Sequence, residues 1–287
     1  MHVTVGAASG LGNTIFLLPL LYRLHEAEHE VSLFVDADYP LAGLWRRCRY
    51  LNRVAEHEPV PPAQHYVAGH WCPQRMVAQN RPLTRRYWLH EPHYPYGEWV
   101  LAMEAGRDAG LITDTSLPDV SDWCTGLDRT PRWDVGLIAG CKPGSLWARK
   151  RYPHLAIVAG YLIERGLTVA AFGLREDWPA GVPPGVVDLV DRFDAARLPD
   201  ALAGCRAIVG TDSGPAHLAA SLGVPTVMLY TATSPTKGQP VGPRYDQRYL
   251  SLPCSPCQAT ARWQACADWR CQQLDAQQIV EAVTQWL

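Results

Sequence analysis

Residues 207–230, with the sequence AIVGTDSGPAHLAASLGVPTVMLY, contain the pattern that decides the fold. An apolar strand over 207–209 runs into a glycine-containing loop over 210–215, and a helix over 216–222 follows it. A second apolar strand is predicted over 226–230. A strand, a loop and a helix that lead into another strand are typical of a parallel α/β sheet.

The loop at 210–215 is also the first candidate binding site. The free amides of a first helical turn, together with the helix dipole, form a site for phosphate oxygens. Thr211 and Ser213 add hydroxyl groups, and His217 can place an imidazole over the same anion. An ordinary strand–loop–helix joint capped by Asp212 or Ser213 would show the same pattern, so both interpretations stay open on the residues alone.

The overall composition excludes several classes of protein. The chain has 287 residues and a formal net charge of −2, which gives no reason to expect a nucleic-acid partner. No run approaches the ~18 apolar residues of a membrane span. The first residues, HVTV, follow no basic segment, so no signal peptide is predicted. We therefore expect a cytoplasmic protein, at most peripheral to the inner face of a membrane.

The N-terminal region begins with the same order of elements. A strand over 3–6 opens into a glycine-rich loop over 8–13, and a helix is predicted from 14 through 24. The loop carries two of the three glycines of a G-x-G-x-x-G dinucleotide fingerprint, because Ile15 stands at the third position. An NAD(P)-dependent oxidoreductase built on this loop is one alternative function.

The rest of the chain indicates a second α/β unit. Residues 59–97 show little periodicity and are predicted to form long loops, a helix is predicted over 101–110, and 127–132 reads as a linker. After the linker the order of elements restarts, with a strand over 134–139, a helix over 152–165, a strand over 167–172 and a final helix from Asp275. We therefore predict two α/β lobes with mainly parallel sheets that face each other across a cleft.

Four segments resemble glycosyltransferase family 9, the bacterial heptosyltransferases. They are TDSGPAHLAA at 211–220 with LGVPT at 222–226, GLGN at 10–13 with Pro19, GS and KRYP within 144–153, and TATSP at 231–235. The resemblance implies the GT-B architecture of two Rossmann-like lobes. It assigns residues 1–130 to a shortened acceptor lobe and residues 131–287 to a lobe that binds the sugar nucleotide.

The resemblance also implies roles for single residues toward an ADP-sugar donor. The residues assigned to the donor are Gly12, Lys150, Glu176, Thr211, Asp212, Ser213, Gly214 and His217. In the family the loop amides and hydroxyl hold the diphosphate, the lysine pairs with phosphate, and an acid near Glu176 binds ribose. A lysine and helix-terminal amides stabilise the charge that grows on the departing nucleotide, so no cofactor or metal is expected in catalysis.

Asn13 is the departure from the family that matters for mechanism. The family aspartate at this position takes the proton from the acceptor hydroxyl, whereas an amide can only orient a hydroxyl near neutral pH. His70, Glu91, His93 and Asp38 are the candidates for a replacement base. Two alternatives stay open: the acceptor needs little deprotonation, or the protein is a non-catalytic sugar-nucleotide-binding module.

Four cysteines late in the chain predict a metal site. Cys254, Cys257, Cys266 and Cys271 combine a C-x-x-C pair with two further thiols, which fits a tetrahedral thiolate site for zinc or iron. Such a site would be structural and would staple the loop over 253–272. A set of reduced cysteines in a tight loop is the alternative.

Taken together, these features predict an inverting glycosyltransferase. The donor implied by the resemblance is a nucleotide-activated sugar, ADP-heptose, and the acceptor is a hydroxyl of a glycan, a glycolipid, a protein or another molecule. The oxyanion-stabilising groups come from the C-terminal lobe, and the base comes from the N-terminal lobe.

Overall fold

The computed structural model describes residues 1–78, 83–86, 95–142, 144–258 and 260–287. The strands of this part of the chain are β1 (His2–Ala8), β2 (Glu30–Asp36), β3 (Arg53–Glu56), β4 (His65–Ala68), β5 (Leu83–Arg85), β6 (Trp133–Ile138), β7 (Val169–Phe172), β8 (Val187–Asp188), β9 (Cys205–Thr211), β10 (Thr226–Leu229) and β11 (Tyr245–Arg248). The α-helices are α1 (Leu11–Ile15), α2 (Leu18–Glu26), α3 (Ala42–Trp45), α4 (Gln74–Ala78), α5 (Trp99–Asp108), α6 (Leu155–Glu164), α7 (Leu198–Ala203), α8 (Gly214–Ser221), α9 (Ala261–Ala265) and α10 (Ala276–Thr284). None of the described helices is both long and apolar enough to cross a bilayer.

Two parallel sheets organise the chain. The first has the strand order β3-β2-β1-β4-β5, and the second has the order β11-β10-β9-β6-β7-β8. The central strands β1 and β9 each pair in parallel with a neighbour on both sides. Helices cover such sheets, which is why their strands read as nearly continuous apolar runs. The predicted α/β class with two mainly parallel sheets is confirmed.

Some element boundaries were predicted wrongly. The single helix expected over 14–24 is divided into α1 and α2, because Pro19 has no amide hydrogen and takes a place in the first turn of the second helix. The region 59–97 is not made only of loops, since it contains β4, α4 and β5. These elements are three to five residues long, too short to show a periodic pattern.

The C-terminal helix begins where it was predicted to begin. Asp275 caps α10 by accepting hydrogen bonds from the amides of Gln277, at 2.8 Å, and Gln278, at 3.4 Å. Ile279 and Val280 are buried under this helix, as its apolar spacing predicts. Trp286 was expected on the same face but lies after the helix end and is 37% exposed.

The two lobes share one apolar core. A single buried cluster joins Phe16 and Trp45 of the first lobe to Leu218 of α8 in the second. Trp45 packs against Trp123 with ring centroids 5.4 Å apart, and both rings are fully buried. The Trp123 indole donates a hydrogen bond of 3.2 Å to the Ser221 hydroxyl. The position of one lobe relative to the other is therefore set by close packing.

Candidate functional site

The glycine loop after β1 meets the N-terminus of α8 at the boundary between the lobes. A methyl group on Gly214 would lie 2.8 Å from the Cβ of Leu11 and 2.9 Å from the amide nitrogen of Gly12. Both distances are shorter than carbon atoms tolerate, so glycine is required for this approach. The first turn of α8, with its unpaired amides, therefore lies at the junction of the two lobes.

Substitutions at the two glycines are expected to differ. Gly214→Ala forces the lobes apart, whereas a methyl group on Gly12 would meet its nearest atom, the Gly214 Cα, at an ordinary 3.4 Å. We expect Gly214→Ala to cost about 1–3 kcal/mol of unfolding free energy through overpacking. Its turnover should fall by up to ~10²-fold through misplacement of the reacting groups. Urea unfolding and an activity assay of both variants check this, and equal losses would contradict it.

A buried charge cluster lies beside the same helix end. Lys150 places its Nζ 2.9 Å from one carboxylate oxygen of Asp212, and the His217 Nε2 lies 3.0 Å from the other. Burial by itself would raise the pKa of Asp212, but the Lys150 ammonium and the His217 ring outweigh it and hold that pKa well below its usual range. Asp212 is therefore an ionised, doubly partnered carboxylate. It is available to neutralise and orient groups but is a weak base.

Two buried polar atoms at this corner have no hydrogen-bond partner among the described residues. They are the Oγ of Ser213 and the Nδ1 of His217. Ser213 is the N-cap of α8, yet its hydroxyl makes no capping bond. A buried polar atom without a partner costs free energy that a ligand can recover. With the first-turn amides and Lys150, the Ser213 hydroxyl suits an anion such as phosphate.

Thr211 and Glu176 occupy different surroundings from these residues. The Thr211 hydroxyl is fully buried and donates to the carbonyl of Gly140 at 2.8 Å, so it is engaged within its own lobe. Glu176 is exposed in a 3-10 turn after β7, which lies two strands from β9 in the sheet. Its neighbour Asp177 is the buried acid of that turn and accepts a bond of 3.2 Å from Arg151.

A second cluster lies on the side of the first lobe. A cavity of about 10 Å³, close to the size of one water molecule, is lined by Asn13, Phe16, Leu17, Gly69, His70, Trp71, Glu98 and Ala102. The fold thus brings the sequence candidates Asn13 and His70 together. The Phe16 ring links them to the charge cluster, because it contacts the His217 ring at a centroid distance of 4.8 Å.

Glu98 is the functional candidate that sequence reasoning missed. It lies at the N-cap of α5, and its Oε1 is buried with no hydrogen-bond partner in the described structure. Burial raises its pKa to about 7, against the opposing influence of Lys237 and of a hydrogen bond from Trp71. An acid at the start of a helix is common in sequences, so no local signal distinguished it.

The remaining candidates for a base are placed elsewhere. The side chain of Asp38 is 66% exposed and lies 3.6 Å from the Nζ of Lys142 in the other lobe. Glu91 and His93 lie outside the described residues.

Lys237 adds a second cation that was also missed. Its carbonyl accepts a hydrogen bond of 2.9 Å from the amide of Glu98, which joins the two lobes at this point. Burial lowers the pKa of its ammonium group, while the carboxylates of Glu98 and Asp212 oppose that shift. The segment TSPTKG, in which it occurs, follows β10 and carries no pattern that marks a binding lysine.

A larger cavity of about 320 Å³ lies near the same segment. The described residues that line it are uncharged, and most carry hydroxyl groups or present ring faces, namely Pro95, Thr233, Ser234, Pro235, Thr236, Tyr249, Leu250, Ser251, Ser255 and Pro256. The hydroxyl of Thr233 is buried and has no hydrogen-bond partner there. Such a lining suits a neutral group that both donates and accepts hydrogen bonds.

The four late cysteines are not arranged in the described structure as the metal site that their spacing predicts. Within the described ranges, no three His, Cys, Asp or Glu side chains are arranged to hold a metal ion. Burial is the larger cause, and the charge of the neighbouring thiols the smaller cause, of a Cys271 pKa that is raised to about 11. The thiols therefore lie near one another. Cys257 and Cys271 instead pack with Ala232 and Trp263 in a small apolar cluster. This packing helps to hold the described part of the loop over 253–272, and the cysteine spacing alone did not indicate it.

Comparison with known proteins gives a family and relatives. Glycosyltransferase family 9 (heptosyltransferase) matches residues 67–266. The chain is 28% identical over 245 residues to lipopolysaccharide heptosyltransferase 1 of Pseudomonas aeruginosa, across 75% of this chain and 66% of that protein. The aligned part therefore spans just under two thirds of this curated relative.

Solved structures agree in fold. The Escherichia coli ADP-heptose lps heptosyltransferase II superposes with a TM-score of 0.69 at 18% identity, over 100% of this chain and 98% of that one. The bacterial iron-containing dodecameric glycosyltransferase TibC of enterotoxigenic E. coli gives 0.66 at 14% identity, over 99% and 75%. TibC has also been solved in complex with ADP-D-β-D-heptose. These likenesses confirm the predicted GT-B architecture.

Proposed function

The chain belongs to glycosyltransferase family 9, and from that premise we propose that it is an inverting glycosyltransferase that uses a nucleoside diphosphate sugar. One observation carries the proposal. The unpartnered Ser213 hydroxyl, the first turn of α8 and the Lys150 ammonium converge at one corner between the lobes. That combination of donors matches the oxygens of a diphosphate.

The same groups would assist departure of the nucleotide. As the bond between the anomeric carbon and the phosphate oxygen breaks, negative charge grows on the diphosphate. Amides and an ammonium group already aimed at that position stabilise the charge without reorganising. The Asp212 carboxylate lies 2.9 Å from the Lys150 Nζ and so orients it. The proposed chemistry therefore draws on this chain's own residues.

We propose ADP-heptose as the donor. The names of the E. coli enzyme and of the TibC complex both include ADP-heptose, and the motifs around 211–220 and 144–153 resemble the family segments that hold an ADP-sugar. A binding experiment can test the preference for the nucleotide base directly.

ADP is expected to raise the melting temperature more than UDP or GDP at equal concentration. A ligand that binds only the folded state stabilises it by RT ln(1 + [L]/Kd), about 2.7 kcal/mol at a hundred times Kd. The Ser213→Ala variant removes one diphosphate donor and serves as the control, because its shift with ADP should be smaller. Equal shifts with all three nucleotides, or none, would count against a specific ADP-sugar site.

We propose a neutral, hydroxyl-bearing acceptor on a glycan, glycolipid or protein. The family resemblance supports this and assigns the acceptor to the first lobe. The uncharged 320 Å³ cavity is lined by residues of the second lobe, apart from Pro95, so it suits a neutral part of the donor. A non-catalytic binding module is the competing function, since Asn13 cannot act as a base. Release of ADP from ADP-heptose by the purified protein separates the two.

We also propose a cytoplasmic location for the protein. All nine cysteines are free thiols, which supports a location in the reducing cytoplasm. TibC is described as iron-containing, but the late cysteines of this chain are not arranged as a metal-binding group within the described residues.

A further inference from the structure

We propose that the Glu98 carboxylate is the general base of this enzyme and takes the proton from the attacking hydroxyl. The inference rests on the proposed function and names the residue that accepts the proton, which the Asn13 amide cannot do. It would make Glu98 a catalytic residue supplied by α5, not by the loop after β1.

Glu98 lies where an attacking hydroxyl could meet both its carboxylate and the Asn13 amide. Its side chain and that of Asn13 line the same cavity of about 10 Å³, which has room for about one oxygen atom with its hydrogen. The Glu98 Oε1 is buried and lacks a hydrogen-bond partner in the described structure. An attacking hydroxyl placed there could donate to Glu98 and be oriented by the Asn13 amide.

Glu98 is also connected to the residues proposed to bind the donor diphosphate. The Glu98 amide donates 2.9 Å to the carbonyl of Lys237, in the turn that continues into Gly238. A methyl group on Gly238 would lie 3.4 Å from the Oδ1 of Asp212. One turn of chain therefore connects the base candidate to the residues proposed to bind the diphosphate.

The surrounding charges favour Glu98 over the other carboxylate. The groups that act on Glu98 are Lys237, Asp212, Lys150 and the Trp71 indole, with His70 lining the same cavity. Burial is the largest influence and raises the pKa of Glu98 to about 7, close to the pH at which a general base is most effective. Asp212 has a depressed pKa and two partners, so it accepts a proton poorly.

The proposed step balances as follows. The hydroxyl oxygen forms a bond to the anomeric carbon while its proton moves to Glu98. The bond from that carbon to the phosphate oxygen breaks, and its electron pair leaves with the nucleoside diphosphate toward Lys150. Glu98 ends as a neutral carboxylic acid and returns its proton to water.

The test uses ADP-heptose with two nucleophiles, water and azide. Attack by water needs a base, whereas azide is already an anion and carries no proton. We expect Glu98→Gln to slow ADP release in water by about 10²–10⁴-fold. With azide, the variant should form glycosyl azide at nearly the wild-type rate. Glu98→Asp should keep part of the water reaction. Glu104→Gln, in the same helix, is the matched control and should behave like wild type.

The pH profile gives a readout that a structural role would not move. The base must be ionised, so wild-type kcat/KM should fall about tenfold per pH unit below its pKa, near 7. This acid limb should be absent in Glu98→Gln. The folded state holds the Glu98 proton more tightly than the unfolded state does, so ionisation destabilises the fold as pH rises from about 4.5 to about 7. Glu98→Gln should therefore melt higher than wild type at pH 8 and lose that advantage toward pH 4.

The outcomes separate this inference from the proposed function. If wild type releases ADP and Glu98→Gln does so equally with the same acid limb, the role of Glu98 is overturned alone. Loss of that limb in His70→Gln, with Glu98→Gln retaining it, assigns the base to His70 and overturns the inference. If wild type neither turns over ADP-heptose nor is stabilised by any nucleotide, the proposed function fails, and the role of Glu98 fails with it.

Discussion

Lys150→Ala is expected to lower turnover of ADP-heptose by about 10²–10³-fold. Removing one preorganised donor to a developing negative charge typically has that effect. Lys150 is the ammonium group held beside the first turn of α8 by a 2.9 Å contact with Asp212. Most of the loss should appear in kcat, because the charge on the leaving diphosphate exists chiefly in the transition state.

The same substitution should also destabilise the protein. Asp212 is only 8% exposed, and without Lys150 the partner that remains within hydrogen-bond distance of its carboxylate, among the described residues, is His217. Breaking a buried pair by removing one member costs about 3–5 kcal/mol. A fall in turnover by itself would therefore not show whether the variant had lost catalysis or stability.

A double variant separates these two effects. Lys150→Met with Asp212→Asn removes both charges, so urea unfolding should return toward the wild-type value. Turnover should stay low, because the diphosphate still lacks its cation. A double variant that regained both stability and activity would show that Lys150 serves only to neutralise Asp212. Lys142→Ala is the matched single control, since Lys142 is half exposed and pairs with Asp38 at 3.6 Å.

Trp123→Ala should cause a large loss of stability, about 3–5 kcal/mol. Trp123 is fully buried against Trp45 and belongs to the cluster that both lobes share. Truncation also leaves the Ser221 hydroxyl without its indole donor. Because this contact lies between the lobes, ADP binding should weaken together with the unfolding free energy. Denaturant unfolding and a thermal shift with ADP measure the two effects.

Two further variants make this result interpretable. Trp123→Phe keeps most of the ring and should lose less stability than Trp123→Ala. Trp286→Ala removes an indole that is 37% exposed and should change unfolding by much less. A loss for Trp286→Ala as large as that for Trp123→Ala would refute the idea that the shared core sets the stability.

Much of the fold could be predicted from residues close together in the chain. An apolar run, a glycine and a proline in a first turn predict the strand, loop and helix at 207–230, and all three signals are local in the sequence. The sequence did not predict that the first helix is divided in two, because Leu17 and Leu18 continue the apolar pattern across the break. The short elements within 59–97 carried too few residues for any period to appear.

The candidate site divides in the same way. Asp212, Ser213 and His217 lie within six consecutive residues, at the end of β9 and the start of α8, so their convergence follows from the local structure that the sequence determined. The placement of Glu98 and Lys237 was decided only by the tertiary structure. Glu98 becomes a buried acid because α5 of one lobe is pressed against a turn of the other, and burial depends on neighbours far along the chain. Cysteine spacing likewise limits how far apart thiols can be, but packing around Trp263 decides how they are arranged.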